Sequence, residues 1–440
     1  MKKRIKMMCL LLCAALLFAG CSVQTVDKMY RLPKRSQDYN DLQSAVDAAM
    51  VNMEYSAPLS GENRQSIQAA DLDGDGLREY LLFAKSADER PLRILIFRNT
   101  GEGVVHTDTI ESNGTAFDQI EYAQMDEGTG VELIVGTRLS DQVLRSVSVY
   151  SFRDASAQQL VSVNYTKFIA ADVNQNGYAD LLVLRPGLED GDNGVAEFYG
   201  IKNGAVVRSN EANMSQPSEQ LKRIVVGKLH EGQMAVYAAS TVDETAIVTD
   251  VYAVVDGKLS NLTFSNETGT SVQTMRNYYV YADDIDDDGI IELPSLMNSE
   301  QIKPEEAPDR QDLIRWYAMT IDGSEVDKMY TFHNFVNGWY LNLDSDLATG
   351  ITVKNAGTSF EFYYLDGDDP DGTKLLTVYA FSGQNRDEQS VESGRFVLLK
   401  TESVTYSASL ESGAETKGLT RENLINSFHL IQQDWKTGEM

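Results

Sequence analysis

Apolar positions along this 440-residue chain fall into three successive patterns. Met7 to Phe18 is an unbroken apolar run behind Lys2, Lys3, Arg4 and Lys6. It is too short to span a bilayer comfortably and has the layout of a signal-peptide core. Leu42, Ala45, Val46, Ala49, Met50 and Met53 then recur at helical spacing and predict one amphipathic helix, capped by Asn40 or Asp41. From about Gln65 the period changes to two, the mark of strands.

The strand region repeats a fixed grammar. A short strand enters an acidic turn ("SIQAADL", "FIAADV", "YVYADDI") and a second leaves it ("EYLLFAK", "VELIVGT", "ADLLVLR", "QMAVYAA"). A third carries an aromatic residue ("LRILIFRN", "SVSVYSFR", "VAEFYGI", "VTDVYAVV", "IRWYAMTI"), and a tight turn leads to a fourth. Asn203-Gly204, Asp256-Gly257 and Asp322-Gly323 suit two-residue hairpins at three of those last turns. The first liganding positions of the acidic turns are Asp71, Gln124, Asp172, Lys228 and Asp284, a spacing of roughly 50 residues. Four antiparallel strands at that period predict a mainly β fold, a β-propeller of about five four-stranded blades over residues 62–332. The fifth blade is interrupted by the insertion "QIKPEEAPDRQD".

The acidic turns carry the clearest chemistry. Asp71, Asp73 and Asp75 alternate, Gly76 permits a sharp bend, and Glu79 follows at the ninth position. Alternating oxygens on a tight loop converge on one point, and hard oxygen ligands suit Ca²⁺. An EF-hand would need a bidentate Glu at position twelve, where Leu82, Val183 and Ser295 stand, and would be flanked by helices.

The pattern D-x-D-x-D-G-x-x-[DE] between strands instead resembles the FG-GAP or VCBS repeat of integrin-α-like propellers and bacterial surface proteins. The resemblance implies three calcium sites. Asp71, Asp73, Asp75 and Glu79 would form one, with the Leu77 carbonyl. Asp172, Asn174, Asn176 and Asp180 would form a second with Tyr178, and Asp284, Asp286, Asp288 and Glu292 a third with Ile290. The second unit keeps Gln124, Asp126 and Glu132 but has Gly128 and Thr129 in place of the third ligand and the glycine. The fourth has Lys228 and His230 at the first two positions, so no metal is expected there. The Asp172 site has two carboxylates against four in its neighbours, which predicts two strong sites and one weaker one.

After about Tyr330 longer strands predict an α+β domain over residues 333–440, closing with an amphipathic helix from Thr420 to Trp435. Its aromatic opening strand and the end "ENLINSFHLIQQDW" are similar in pattern to Mog1/PsbP-like domains. The loop from Asp366 to Gly372 reads as a hairpin, because Pro370 interrupts its acidic alternation. Trp316, Trp339 and Trp435 read as packing residues.

Charge and cysteines narrow the setting. The net charge of −28 disfavours nucleic acid and anionic lipid surfaces as partners. Leu17-Phe18-Ala19-Gly20-Cys21 resembles a bacterial lipoprotein box, with Phe18 departing from the usual aliphatic residue. On that reading residues 1–20 are a signal peptide and Cys21 carries lipid. Residues 21–39 are a tether, residues 40–61 hold the helix and its lead-in, and the protein is extracytoplasmic and anchored to the cell membrane. Cys9 and Cys13 lie in the signal, so no disulfide forms within one mature chain. His106, His230, His333 and His429 are scattered, and no GxSxG, HExxH or phosphate-cradling loop occurs. The reading is therefore a membrane-tethered module binding an unknown protein or glycan, without a catalytic set. The alternatives are a propeller-based lyase or glycosidase, resting on fold analogy, and an accessory subunit of an envelope complex.

Overall fold

Helix α1, Gln37–Ala49, forms where the periodic apolar stripe predicts it. Asn40 and Asp41 lie inside it rather than capping it; the Asn40 carbonyl accepts a hydrogen bond from the Ser44 hydroxyl. The stripe of Leu42, Ala45, Val46 and Ala49 packs on Leu82, Leu95 and Phe97 of the first sheet. The computed structural model describes residues 37–431, apart from 140–143, 153–155, 190, 244–245, 277–279, 298–309, 312, 335 and 366–371. The signal segment, Cys21, most of the tether, most of the insertion, the Asp366 loop and Trp435 fall outside the described residues.

Four antiparallel meanders follow in chain order. The first comprises Ile67–Ala70, Glu79–Lys85, Leu92–Asn99 and Val104–Ser112, with Glu54–Tyr55 also pairing to the second of these strands. The second comprises Ala116–Ala123, Glu132–Arg138, Arg145–Ser151 and Gln158–Asn164. The third comprises Lys167–Ala171, Asp180–Arg185, Val195–Lys202 and Ala205–Asn213. The fourth comprises Leu221–Lys228, Met234–Thr241, Ile247–Val255 and Lys258–Asn261.

The fifth sheet departs from this plan. Among the described residues its entering strand is reduced to one bridge, Asp283 to Glu292. Glu292–Met297, Leu313–Met319 and Glu325–Asn334 follow, and Trp339–Leu343 and Phe428–Leu430 extend the sheet. Phe428–Leu430 was expected to be helical; the helix instead covers Arg421–Ser427, with the Thr420 hydroxyl accepting from the Asn423 amide. Pairing with Trp339–Leu341 and the stacking of Phe428 on Trp339 override the local helical pattern.

The sixth sheet runs Arg310–Gln311, Ile351–Asn355, Ser359–Tyr364, Thr373–Ser382, Val404–Leu410 and Phe396–Lys400 across its width. Its first strand comes from the insertion, which thus joins the C-terminal part. Phe332, Trp339 and Leu341 of the fifth sheet share a core with Phe360, Phe362 and Val378 of the sixth. Trp316 and Trp339 are both fully buried, as packing residues should be.

Consecutive sheets pack face to face. Phe83 and Ile94 meet Phe117 and Val135; Ile134 and Val149 meet Phe168 and Val183. Leu182 and Phe198 meet Val236 and Tyr252; Tyr237 and Val251 meet Leu293 and Tyr317. Alternate residues of one strand therefore enter two different cores, which is why the strands leaving the acidic turns read as continuous apolar runs. The outer face of the first sheet is covered by α1, and Ile314 and Trp316 on the fifth are packed by Val280 and Ile285. Among the described residues no core cluster joins the first sheet to the fifth.

Asn203-Gly204 and Asp256-Gly257 take positive φ at both positions, as two-residue hairpins require. Asp322-Gly323 does not. The Thr320 amide bonds to Ser324 and only Gly323 is left-handed, so this hairpin has a longer loop.

Candidate metal centres

Three acidic turns share one backbone solution. In each, the first carboxylate accepts two amide hydrogens from the bend. Asp71 takes those of Gly74 (2.8 Å) and Gly76 (3.0 Å), Asp172 those of Asn176 and Gly177, and Asp284 those of Asp288 and Gly289. The fifth-position side chain, Asp75, Asn176 or Asp288, accepts from the amide of Leu77, Tyr178 or Ile290. These are the residues whose carbonyls the repeat resemblance assigns to the ion. Positions four and six are left-handed in all three turns. Glycine supplies position six throughout, but Gln175 and Asp287 adopt φ of 57° and 60° at position four, where the first turn has Gly74.

The ninth-position carboxylate closes the turn from within. Glu79 accepts from the Leu72 amide at 2.9 Å, Glu132 from Met125 at 2.9 Å and Glu292 from Ile285 at 3.2 Å. The shorter Asp180 reaches Asn174 instead, accepting from its side-chain amide at 2.9 Å. All four carboxylates are buried, and burial pushes their pKa values up, that of Asp180 to about 7 and that of Glu292 to about 8.

Two turns gather three carboxylates tightly enough for one metal ion: Asp71, Asp73 and Glu79, and Asp284, Asp286 and Glu292, with oxygens within 4.8 Å of one another. In the second group Glu292 is 0% exposed, and its Oε1 has no hydrogen-bond partner. A buried carboxylate oxygen left unpaired beside two other carboxylates is costly unless a proton neutralises it or a cation meets it. The donor set therefore fits a hard metal ion.

Asp75 and Asp288, predicted as ligands, lie outside these two groups. A basic side chain reaches each turn from elsewhere in its own sheet. Arg98, near the end of Leu92–Asn99, contacts Asp73 at 2.6 Å and lies 4.0 Å from Glu79. Lys328, on Glu325–Asn334, contacts Asp288 and lies 4.0 Å from Asp286. Nothing in the sequence spacing marks either residue. In the third turn the structure brings Asp172, Asn174, Asn176 and Asp180 onto one loop, and among the described residues no lysine or arginine pairs with them.

The second turn keeps the Glu132 anchor, while Asp126 is committed to the Gly128 amide and Gln124 to its carbonyl. In the fourth unit Lys228 pairs directly with Met234, so the loop is too short to hold the ligand series. Adjacent turns touch. The Val131 amide donates to the Asp71 carbonyl, Ala179 to Gln124 and Ile291 to Lys228, at 3.3, 2.8 and 3.0 Å. A groove of about 950 Å³ opens beside the third turn, lined by Asn174, Asn176, Tyr178, Phe198, Lys202 and Ser209 among others.

The histidines form no cluster with these turns. His333 is buried against Trp316 and Tyr340, and burial pulls its pKa down to about 3. The ring stays neutral and serves packing.

No known family and no curated protein matches the sequence. Solved structures resemble it distantly. The rhamnogalacturonan lyase YesW is 12% identical with a TM-score of 0.30, over 68% of this chain and 65% of that one. A rhamnogalacturonan lyase of Bacillus licheniformis is 11% identical with a TM-score of 0.26, over 74% and 72% of the two chains. TolB from Acinetobacter baumannii is 10% identical with a TM-score of 0.25, over 77% and 69%. This chain thus spans just under two thirds of YesW, and likeness at this level carries no argument about activity.

Proposed function

We propose that this chain is a calcium-stabilised binding module, held outside the cytoplasm by lipid at Cys21, whose five stacked sheets are blades of an FG-GAP/VCBS-like propeller array. The observation that carries the calcium reading is the unpaired, buried Oε1 of Glu292, a carboxylate grouped with those of Asp284 and Asp286. Oxygen-only donors on a flexible bend match Ca²⁺ better than a softer metal. The ion supplies positive charge that orders the bend.

The ligand surface is assigned to the groove beside the third turn. Its size is within the range of ligand clefts, and amide, hydroxyl and ammonium groups line it together with the Tyr178 ring. Such a lining suits a segment of glycan or an extended polar peptide. The test is binding of the purified full-length chain to cell-wall and host glycans and to surface proteins, with and without calcium. Calcium-dependent binding lost in Tyr178→Ala supports the reading. Binding to none of these, or binding indifferent to Tyr178, removes it.

A further inference from the structure

Four of the first five sheets carry a bulge in the fourth strand, directly opposite the third. The extra residues are Thr107, Leu160, Ser209 and Lys328. In the first and third sheets the bulge hydroxyl turns back onto its own sheet. Thr107 donates to the Ile96 carbonyl at 3.2 Å and Ser209 to the Phe198 carbonyl at 3.3 Å. In the fifth sheet the same position holds a lysine, and a bulge re-aims the side chain it carries. Lys328 points its ammonium into the acidic turn, onto Asp288 and towards Asp286.

We propose that Lys328 is a built-in competitor for the metal of the fifth turn, a tethered cation that the ion must displace. The inference rests on the metal reading of that turn and goes beyond it by naming the residue that sets its affinity. The geometry separates two layers. At the mouth, the ammonium already neutralises part of the charge of Asp286 and Asp288. At the base, Glu292 Oε1 stays unpaired even with the lysine in place, so a monovalent group on a side chain does not complete the site. A divalent ion drawing in the base must also take Asp286, one of the three grouped carboxylates, away from the ammonium's field. The released side chain has somewhere to go. A cavity of about 600 Å³ beside Lys328 is lined by Tyr330, Asn342, Asp344 and Ser427.

The lysine thus acts as a stand-in cation when calcium is scarce and as a barrier when calcium arrives. The first turn has a basic neighbour too, but Arg98 reaches it from the third strand and not from the bulge. Lys328 is the one charged residue among the four at the bulge.

The test is calorimetric titration of the chelator-treated full-length chain with calcium, in wild type and in Glu292→Gln, Lys328→Thr and Lys328→Arg. Threonine is the residue the first repeat uses at the bulge, so that variant keeps a side chain the fold already accommodates. Glu292→Gln should remove one binding phase, identifying the fifth turn. Lys328→Thr should tighten that phase by about tenfold, while Lys328→Arg, which keeps the charge, should stay near wild type. Thermal melts give an independent sign. Lys328→Thr should melt below wild type in chelator and at or above it in saturating calcium, a crossing that loss of a purely structural contact does not produce. A phase that Glu292→Gln removes but Lys328→Thr leaves unchanged or weakens overturns the competitor role while the metal site stands. No calcium binding by any form overturns the metal reading and this inference with it.

Discussion

The backbone amide of Ala179 donates to the carbonyl of Gln124 at 2.8 Å, tying the third acidic turn to the second. Val131 to Asp71 and Ile291 to Lys228 repeat the contact between other neighbouring units. Backbone hydrogen bonds thus join the first turn to the second, the second to the third and the fourth to the fifth.

Gly130 shows how close the first and second turns lie. A β-carbon there would fall inside van der Waals contact with the Leu72 carbonyl oxygen, which belongs to the preceding turn. Gly130→Ala should destabilise the fold by about 1–3 kcal/mol. It should also lower calcium affinity at the Asp71 turn, measured by denaturant unfolding and by titration. Wild-type stability would show that the two turns are not in tight register.

The buried ninth-position carboxylates give the metal-free protein a pH dependence opposite to that of an ordinary salt-bridged acid. Glu292 is raised from 4.5 to about 8 and Asp180 from 3.8 to about 7, both chiefly by burial. A carboxyl with a raised folded-state pKa favours the fold in its protonated form. That contribution is complete below the unfolded values and is lost as pH rises through the folded ones. In chelator, the melting temperature should therefore fall between about pH 5 and pH 8. Glu292→Gln should flatten the decline. A melting temperature that rises steadily over this window would contradict the assignment.

Trp339 joins the fifth and sixth sheets, stacked on Phe428 and edge-on to Phe360. Trp339→Ala should cost about 3–5 kcal/mol. If the C-terminal part is a cooperative extension of the stack, one unfolding transition moves down. Two separated transitions would mean that the sheets fold as independent units.

Much of this architecture was legible in the sequence because the repeat states it several times. Strand alternation, the Asp-Gly bends and the aromatic third strands place nearly every strand of the first four sheets. The carboxylates of the first and fifth turns meet as their alternation predicts, save that Asp75 and Asp288 serve the bend itself. What was hidden depends on partners distant in the chain. Phe428–Leu430 has a helical pattern and becomes a strand because Trp339–Leu341 offers it an edge. Gln175 and Asp287 take left-handed positions that their residue types do not announce. Lys328 looks like any lysine on a polar strand until the bulge turns it inward. Side-chain aim is set by register across strands, which local spacing does not encode.

The most direct measurement is a calcium-dependent thermal melt of the full-length chain, compared with Asp73→Ala and Asp286→Ala. With free calcium near ten times Kd, each filled turn should contribute about 1.4 kcal/mol. Wild type should lose melting temperature on chelation, each variant should lose less, and the variant carrying both substitutions should keep only the smaller response of the Asp172 turn. Identical melts with and without chelator in the wild type would contradict the account.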